Sequence, residues 1–206
     1  MTNQSTHSMN DPAANISQSN PLFLDCPIIA TERLVLRPPH IEDAEELTML
    51  ANNIKIARML GTMPHPYTDK DAKAFIDKCE ANIGRACIYV ITEEATGKVV
   101  GVGGLHEDPT RYEEPYLGYW IGEPYWGQGY ATEAARAMVD LFFKVTNSPA
   151  LLVSARVDNV ASKKIIGKCG GQFQNKSTVR HTILNENLEL EHFKISRENW
   201  MGEVAA

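Results

Sequence analysis

The segment Gly118-Tyr-Trp-Ile-Gly-Glu-Pro-Tyr-Trp-Gly-Gln-Gly-Tyr-Ala-Thr-Glu-Ala134 is where residue types and spacing point most directly to chemistry. An aromatic, β-branched run leads into a tight glycine turn, and a helix begins at once. Gly127 and Gly129 let backbone N–H groups turn toward a common centre with no Cβ in the way. The opening helical turn adds N–H donors that lack intrahelical partners, together with the positive end of the helix dipole. The combination is a nest suited to a diphosphate. No lysine follows the glycines, and the spacing is not G-x-G-x-x-G, so neither common nucleotide loop is present. A strand-to-helix turn with no ligand would use the same residues, and physics alone leaves that alternative open. A second glycine run, Gly101-Val102-Gly103-Gly104, meets no helix start. It reads as a strand with a bulge or a close backbone approach, not as a nucleotide loop.

The elements that must position this loop follow from periodicity. Arg33-Leu34-Val35-Leu36-Arg37 alternates polar and apolar residues and stops at Pro38-Pro39, which predicts a first strand. Ile41, Ala44, Leu47, Leu50 and Ala51 predict a helix over 41–52. Met63-Pro64-His65-Pro66-Tyr67 is rigid loop, and Thr68 with Asp71 caps a helix that buries Ala72, Phe75, Ile76 and Cys79. Strands Ile88–Ile91 and Lys98–Val102 flank the turn Ala95-Thr96-Gly97. A strand over 116–121 then precedes the glycine loop and a helix carrying Ala131, Ala135, Met138, Phe142 and Val145. Leu151–Ala155 is a strand, a short helix from Asn159 to Cys169 is stopped by Gly170-Gly171, and two strands near 172–180 and 187–196 follow. A meander followed by helix crossovers places the chain in the α/β (α+β) class, with a mixed sheet covered by helices.

With 206 residues, 43% of them hydrophobic, the chain suits a single domain, placed at 27–200. Met1–Asn20 holds twelve Asn, Gln, Ser or Thr and no Lys or Arg, so 1–26 reads as a disordered leader. The net charge of −6 argues against a nucleic-acid partner and suits a cationic acceptor. No apolar run approaches the ~18 residues of a membrane span, and the N-terminus lacks a basic, then apolar, secretory start, so the cytoplasm is the expected location. Cys26, Cys79, Cys87 and Cys169 lack metal-site spacing and are expected as free thiols, with no metal bound.

Positions 126–131 resemble the acetyl-coenzyme A signature of the GNAT acetyltransferase superfamily, with Gly129 and Ala131 in register. Thr31–Arg37, Asp43-Ala44, Gly118–Ile121 and Tyr130–Ala134 are similar to its RimJ/RimL branch, whose members acetylate the N-termini of ribosomal proteins. Asp158–Ser162, with Gly170 eleven residues after Asn159, fits the family's later helix. The resemblance spans 31–196. It implies a GNAT fold whose central sheet splays between the fourth and fifth strands, 116–122 and 150–156, with helices on both faces. It also implies acetyl-CoA as co-substrate and a primary amine as acceptor, on a protein N-terminus or a small molecule. Attack would be direct, in a ternary complex, and a homodimer is compatible with it.

By the same resemblance, backbone groups of Tyr119, Trp120 and Ile121 would pair with the pantetheine, and the Tyr119 N–H would stabilise the thioester oxyanion. Trp126, Gly127, Gln128, Gly129, Tyr130, Ala131 and Thr132 would hold the pyrophosphate, and Asn159 would contact the cofactor arm or serve as a helix N-cap. Ile166 stands where many members carry the tyrosine that protonates the departing thiolate, so Ser162 becomes the expected donor. Tyr116 replaces a common acid, which leaves the general base open among His181, Glu107 and Glu114, acting through water. His65 and Tyr67 would line the acceptor pocket, though Tyr67 could equally anchor its loop on the core. Gly171 replaces a usual aromatic. These departures also keep open a catalytically silent acyl-CoA-binding module.

Overall fold

Successive strand side chains point to opposite faces, so a strand apolar on both must be covered twice. That condition organises the computed structural model, which describes residues 26–81, 86–107, 114–181 and 185–204. The leader expected over 1–26 lies outside the described residues, apart from Cys26. The strands are β1 (Ile29–Ala30), β2 (Leu34–Arg37), β3 (Ala86–Glu93), β4 (Val99–His106), β5 (Tyr116–Ile121), β6 (Ala150–Arg156), β7 (Gln172–Arg180) and β8 (Asn187–Ser196). The helices are α1 (Ala44–Ala51), α2 (Ile54–Ala57), α3 (Asp69–Ala81), α4 (Tyr130–Val145), α5 (Val160–Lys168) and α6 (Arg197–Val204).

The strands form one sheet in the order β1-β2-β3-β4-β5-β6-β8-β7. On one face Cys87, Tyr89, Ile91, Leu117, Ile121 and Val153 pack with Met138, Phe142 and Ile166 of α4 and α5. On the other, Val90, Val99 and Val102 pack with Leu47 and Ala51 of α1 and with Ala72 and Ile76 of α3. Fully burying one such side chain stabilises by about 1.5–3 kcal/mol, so each face secures its own helices.

Every neighbouring pair is antiparallel except β5 and β6, which run parallel and pair only at Tyr116↔Leu152 and Leu117↔Val153. Beyond Leu117 and Val153 the two strands part, so the sheet is splayed where the resemblance places it. The short β1 makes them the fifth and sixth strands. Two residues are too few to show a period, which is why β1 escaped the sequence pattern.

Other elements differ in detail. The helix expected over 41–52 opens as a 3₁₀ turn, Ile41–Asp43, before α1. Asp43 takes two hydrogen bonds from Arg37, at 2.8 and 2.7 Å, and one from the His40 N–H at 2.7 Å. Burial pushes the Asp43 pKa up, but the Arg37 and His40 bonds outweigh it and hold the carboxyl below its ordinary range. α2 and α6 were not legible as periodic runs. The Thr68–Asp71 capping box is present, with the Thr68 N–H donating to Asp71 at 2.8 Å and the Asp71 N–H to the Thr68 hydroxyl at 3.3 Å. Gly101, Gly103 and Gly104 lie within β4. A Cβ on Gly101 would sit 2.3 Å from the Trp120 carbonyl oxygen, so close backbone approach explains that residue.

The cysteines require a correction. Cys26 and Cys87 are joined by a disulfide, with Cα atoms 5.2 Å apart, whereas four free thiols were expected. The lead-in to β1 packs against β3, and the separation of 61 residues carries no local signal of that contact.

Candidate active site

The glycine loop takes the backbone shape that its composition requires. Gly127 has φ +75° and Gly129, the N-cap of α4, has φ +86°. L-residues pay about 1–2 kcal/mol in that region. The turn is fastened by three hydrogen bonds to its carbonyls. The Trp126 indole donates to Ile121 at 2.6 Å, the Gln128 amide to Pro124 at 3.0 Å, and Arg33 Nη1 to Gln128 at 3.0 Å. The Thr132 N–H closes on the Gly129 carbonyl at 3.0 Å, which removes it from the set of available donors. The N–H groups of Gly127, Gln128, Gly129, Tyr130 and Ala131 find no acceptor among the described residues. Five amides at a helix N-terminus, with no Cβ at two of them, fit a diphosphate.

Glu133, in the first turn of α4, is the anchor that holds this loop to β2. Its Oε1 accepts from the Thr31 hydroxyl at 2.7 Å and the Arg33 N–H at 2.9 Å, and its Oε2 from Arg33 Nε at 2.8 Å. Burial pushes the Glu133 pKa up, but these bonds outweigh it and keep the carboxyl below its ordinary range. Thr31 and Arg33 belong to one of the segments that carry the family resemblance and Glu133 to another; their hydrogen bonds make them one clamp.

The gap of the splay is lined from β5. The Gly122 N–H donates to Val100 of β4, and the Leu152 N–H donates to the Pro115 carbonyl across to β6. Antiparallel neighbours alternate between bonded and non-bonded pairs. With Gly103↔Tyr119 and Gly101↔Ile121 as register partners, the main-chain groups of Tyr119 and Ile121 therefore face away from β4, into the gap. The Ile121 carbonyl is occupied by the Trp126 indole, which leaves its N–H facing the gap. Trp120 turns to the second core.

The Tyr119 hydroxyl lies 3.0 Å from the Ser162 hydroxyl of α5. The Ser162 N–H donates to the Asn159 side chain at 3.0 Å, so Asn159 is the N-cap of α5. Burial raises the Tyr119 pKa above the ordinary phenol value, with the Ser162 bond opposing it, so the phenol stays protonated at neutral pH. Ile166 is buried in the first core, and a Cβ on Gly171 would meet its Cγ2 at 2.4 Å, which accounts for the glycine there. Sequence reasoning used only the backbone of Tyr119 and missed its hydroxyl. The spacing from β5 to α5 holds no clue that the two side chains meet.

α2 spans the mouth of the splay. On the β5 side Glu123 accepts from Asn53 at 2.6 Å and pairs with Lys55. On the β6 side Arg156 donates to the Arg58 carbonyl at 2.7 Å, and the His181 ring lies 3.3 Å from the Ala57 carbonyl. In the loop that follows, His65 is exposed, while Tyr67 is buried in the second core. Burial pushes the Tyr67 hydroxyl up to about 12. Of the candidate bases, His181 is buried against α2 and Glu114 is paired with Lys194 at 2.5 Å. Glu107 has an interaction of its own at the end of β4. Among the described residues no cluster of His, Cys, Asp or Glu could hold a metal ion, and no helix is long and apolar enough to cross a membrane.

The profile of the acetyltransferase (GNAT) domain family matches residues 33–172. The chain is 26% identical over 154 residues to the uncharacterized N-acetyltransferase p20 of Bacillus licheniformis, covering 73% of this chain and 84% of that one. It is 26% identical to the FsC-acetyl coenzyme A-N(2)-transacetylase of Aspergillus fumigatus, covering 87% and 86%. RimL, a ribosomal L7/L12 α-N-protein acetyltransferase solved with coenzyme A, superposes with a TM-score of 0.72 at 18% identity, over 82% of this chain and 98% of that one. Mycobacterium smegmatis RimJ does so at 0.70 and 17%, over 84% and 88%; at these identities the likeness shows the shared fold. The chain therefore belongs to the acetyltransferase (GNAT) family, and it is an acyltransferase that uses acetyl-CoA.

Proposed function

We propose that this enzyme transfers the acetyl group of acetyl-CoA to a primary amine, on a protein N-terminus or a small molecule, by direct attack within a ternary complex. The observation that carries the reading is the Tyr119–Ser162 hydroxyl pair, 3.0 Å apart on the α4/α5 side of the splay. Acyl transfer needs a polarised carbonyl, a neutral amine and a proton for the sulfur that leaves. The Tyr119 N–H, facing the gap, donates to the carbonyl oxygen as charge develops there. Ser162 gives its proton to the sulfur and recovers one from the Tyr119 phenol, which burial keeps protonated and which solvent reprotonates before the next turnover. The free amides from Gly127 to Ala131 take the diphosphate, with Trp126 and Gln128 bracing the loop. Asn159 holds Ser162 in place while lying beside the cofactor arm. The loop carrying His65 and Tyr67 borders the acceptor entrance, with Tyr67 as its anchor.

Direct attack is favoured over an acyl-enzyme because no thiol is prepared as a nucleophile. Burial pushes Cys79 up to about 12, and Cys169 is buried in the first core. The reading places the enzyme in the cytoplasm, with acetyl-CoA and the amine as its partners. Thiol release measured over a panel of peptides and small amines tests it, with initial rates fitted at several concentrations of both substrates. Intersecting double-reciprocal lines are expected. Parallel lines would refute direct transfer, and cofactor binding with no turnover on any amine would make the protein a silent acyl-CoA-binding module.

A further inference from the structure

The imidazole of His192 is held at both ends by hydroxyls. Nδ1 lies 2.7 Å from Ser154 Oγ on β6, and Nε2 lies 2.6 Å from Ser177 Oγ on β7. All three side chains are half-buried, so the set is open to a substrate. Its place in the sheet gives it meaning. Leu117 and Val153 are the last paired residues before the splay, so Gly118 and Ser154 stand across from each other at its apex. Leu117 and Val153 belong to the core under α4 and α5; Gly118 and Ser154, one residue on, therefore point to the opposite face. Gly118 adds no side chain there. The α4/α5 face is occupied by the Tyr119–Ser162 pair, which leaves the Gly118–Ser154 face as the route for an amine.

We propose that Ser154, His192 and Ser177 form the proton relay that deprotonates the attacking amine, a role that rests on the acetyl transfer proposed above. The amine enters neutral, and as its nitrogen bonds to the carbonyl carbon the Ser154 oxygen accepts the proton that nitrogen sheds while the Ser154 proton passes to Nδ1 of His192. Nε2–H donates to Ser177 throughout and fixes the tautomer. The N–C bond forms, the C–S bond breaks, Ser162 protonates the sulfur, and the imidazolium passes its proton to water. Ser154 touches the amine and is the catalytic residue; His192 acts through it, and Ser177 positions the ring. The charged groups around the relay are already paired: Lys194 with Glu114 at 2.5 Å and Arg156 with Asp158 at 2.8 Å. β7 faces it with Ser177 and Asn175, and at the apex Tyr116 of β5 and His106 of β4, itself beside Lys78 of α3, stand 3.7 and 3.9 Å from where a Cβ on Gly118 would lie. Burial holds the His192 pKa below its ordinary value, so the ring is a neutral acceptor at neutral pH.

The test has two arms. In the free protein, ¹⁵N NMR of the His192 ring should report protonated Nε2 and bare Nδ1, and Ser177→Ala should erode that preference. A ring protonated at Nδ1 would overturn the proposal whatever the activity. In the enzyme, log kcat/KM against pH should rise with slope one where only the amine titrates and with slope two below the His192 pKa, which burial holds under the ordinary imidazole value. His192→Gln and Ser154→Ala should each lower kcat roughly 100-fold and reduce the slope to one. Ser154→Ala keeps the ring in place, so it guards against a misfolded His192 variant. Slope two retained in both variants, or lost only in His106→Gln, would overturn the relay while leaving acetyl transfer intact. Failure of wild type to turn over any amine would instead sink the reaction itself.

Discussion

Replacing Gly129 by alanine sets a definite amount of strain against two observables. The residue sits at φ +86°, and the nearest atom to an added Cβ is Arg33 Nη2 at 3.3 Å, the far end of a flexible side chain. Sterics therefore contribute little, and the cost is that of holding an L-residue in the left-handed region, about 1–2 kcal/mol. That cost must surface somewhere. If the free loop keeps its shape, the variant loses 1–2 kcal/mol of stability and binds acetyl-CoA normally. If the loop relaxes when empty, stability is unchanged and affinity falls about five- to thirty-fold. Calorimetric titration with acetyl-CoA, paired with urea unfolding of the free protein, measures both. The two losses should sum to about 1–2 kcal/mol. Gly127→Ala is the control, since its φ is +75° and nothing lies within 4 Å of an added Cβ; the same sum is expected there. A bulky β-branched residue at 129 should exceed this range and abolish binding while the fold persists. Unchanged stability together with unchanged affinity would refute the reading of the loop.

Glu133→Ala removes the acceptor of three hydrogen bonds and should destabilise by about 2–3 kcal/mol, discounted because Arg33 is partly exposed; urea unfolding measures it. The folded pKa of Glu133 is depressed, so its contribution is complete above the ordinary carboxylate range and is lost as pH falls through the folded value. The gap between wild type and Glu133→Gln in urea midpoint should accordingly shrink on acidification, and a constant gap would contradict the clamp. Ser162→Ala and Tyr119→Phe should each slow turnover far more than they weaken acetyl-CoA binding, and the double variant should lose less than the product of the two. Independent, multiplicative losses in steady-state kinetics would separate the hydroxyls. Glu123→Ala frees α2 from β5 and should raise the acceptor KM several-fold while the acetyl-CoA Kd, followed by titration, stays fixed.

What could be read from the sequence was local. Gly127, Gly129 and the helix after them announced themselves because backbone conformation and composition are tightly linked over six residues. The Thr68 cap, the period of two in β3 and β4, and the stop at Gly170 belong to the same class. The splay was anticipated through family resemblance, since nothing in the residues of β5 or β6 states where their pairing ends. What escaped depends on long-range geometry. The bond between Tyr119 and Ser162 links residues 43 apart, and Arg33 reaches Glu133 across 100. Cys26 meets Cys87 for the same kind of reason. α2 was missed because four residues are too few to display a helical stripe, although Ile56 and Ala57 are buried, and its polar contacts at the mouth of the gap join residues far apart in the chain.

The two faces of the sheet carry separate cores, and this division assigns the co-substrates to different parts of the molecule. On the function proposed above, the residues that grip the donor stand on the face packed by α4 and α5, while the face packed by α1 and α3, with the loop through His65, borders the entrance for the recipient. Exchange of side chains on the second side can retune which amine is accepted without disturbing the phosphate grip. Such a layout lets a lineage diversify its acceptors while inheriting one way of handling the thioester.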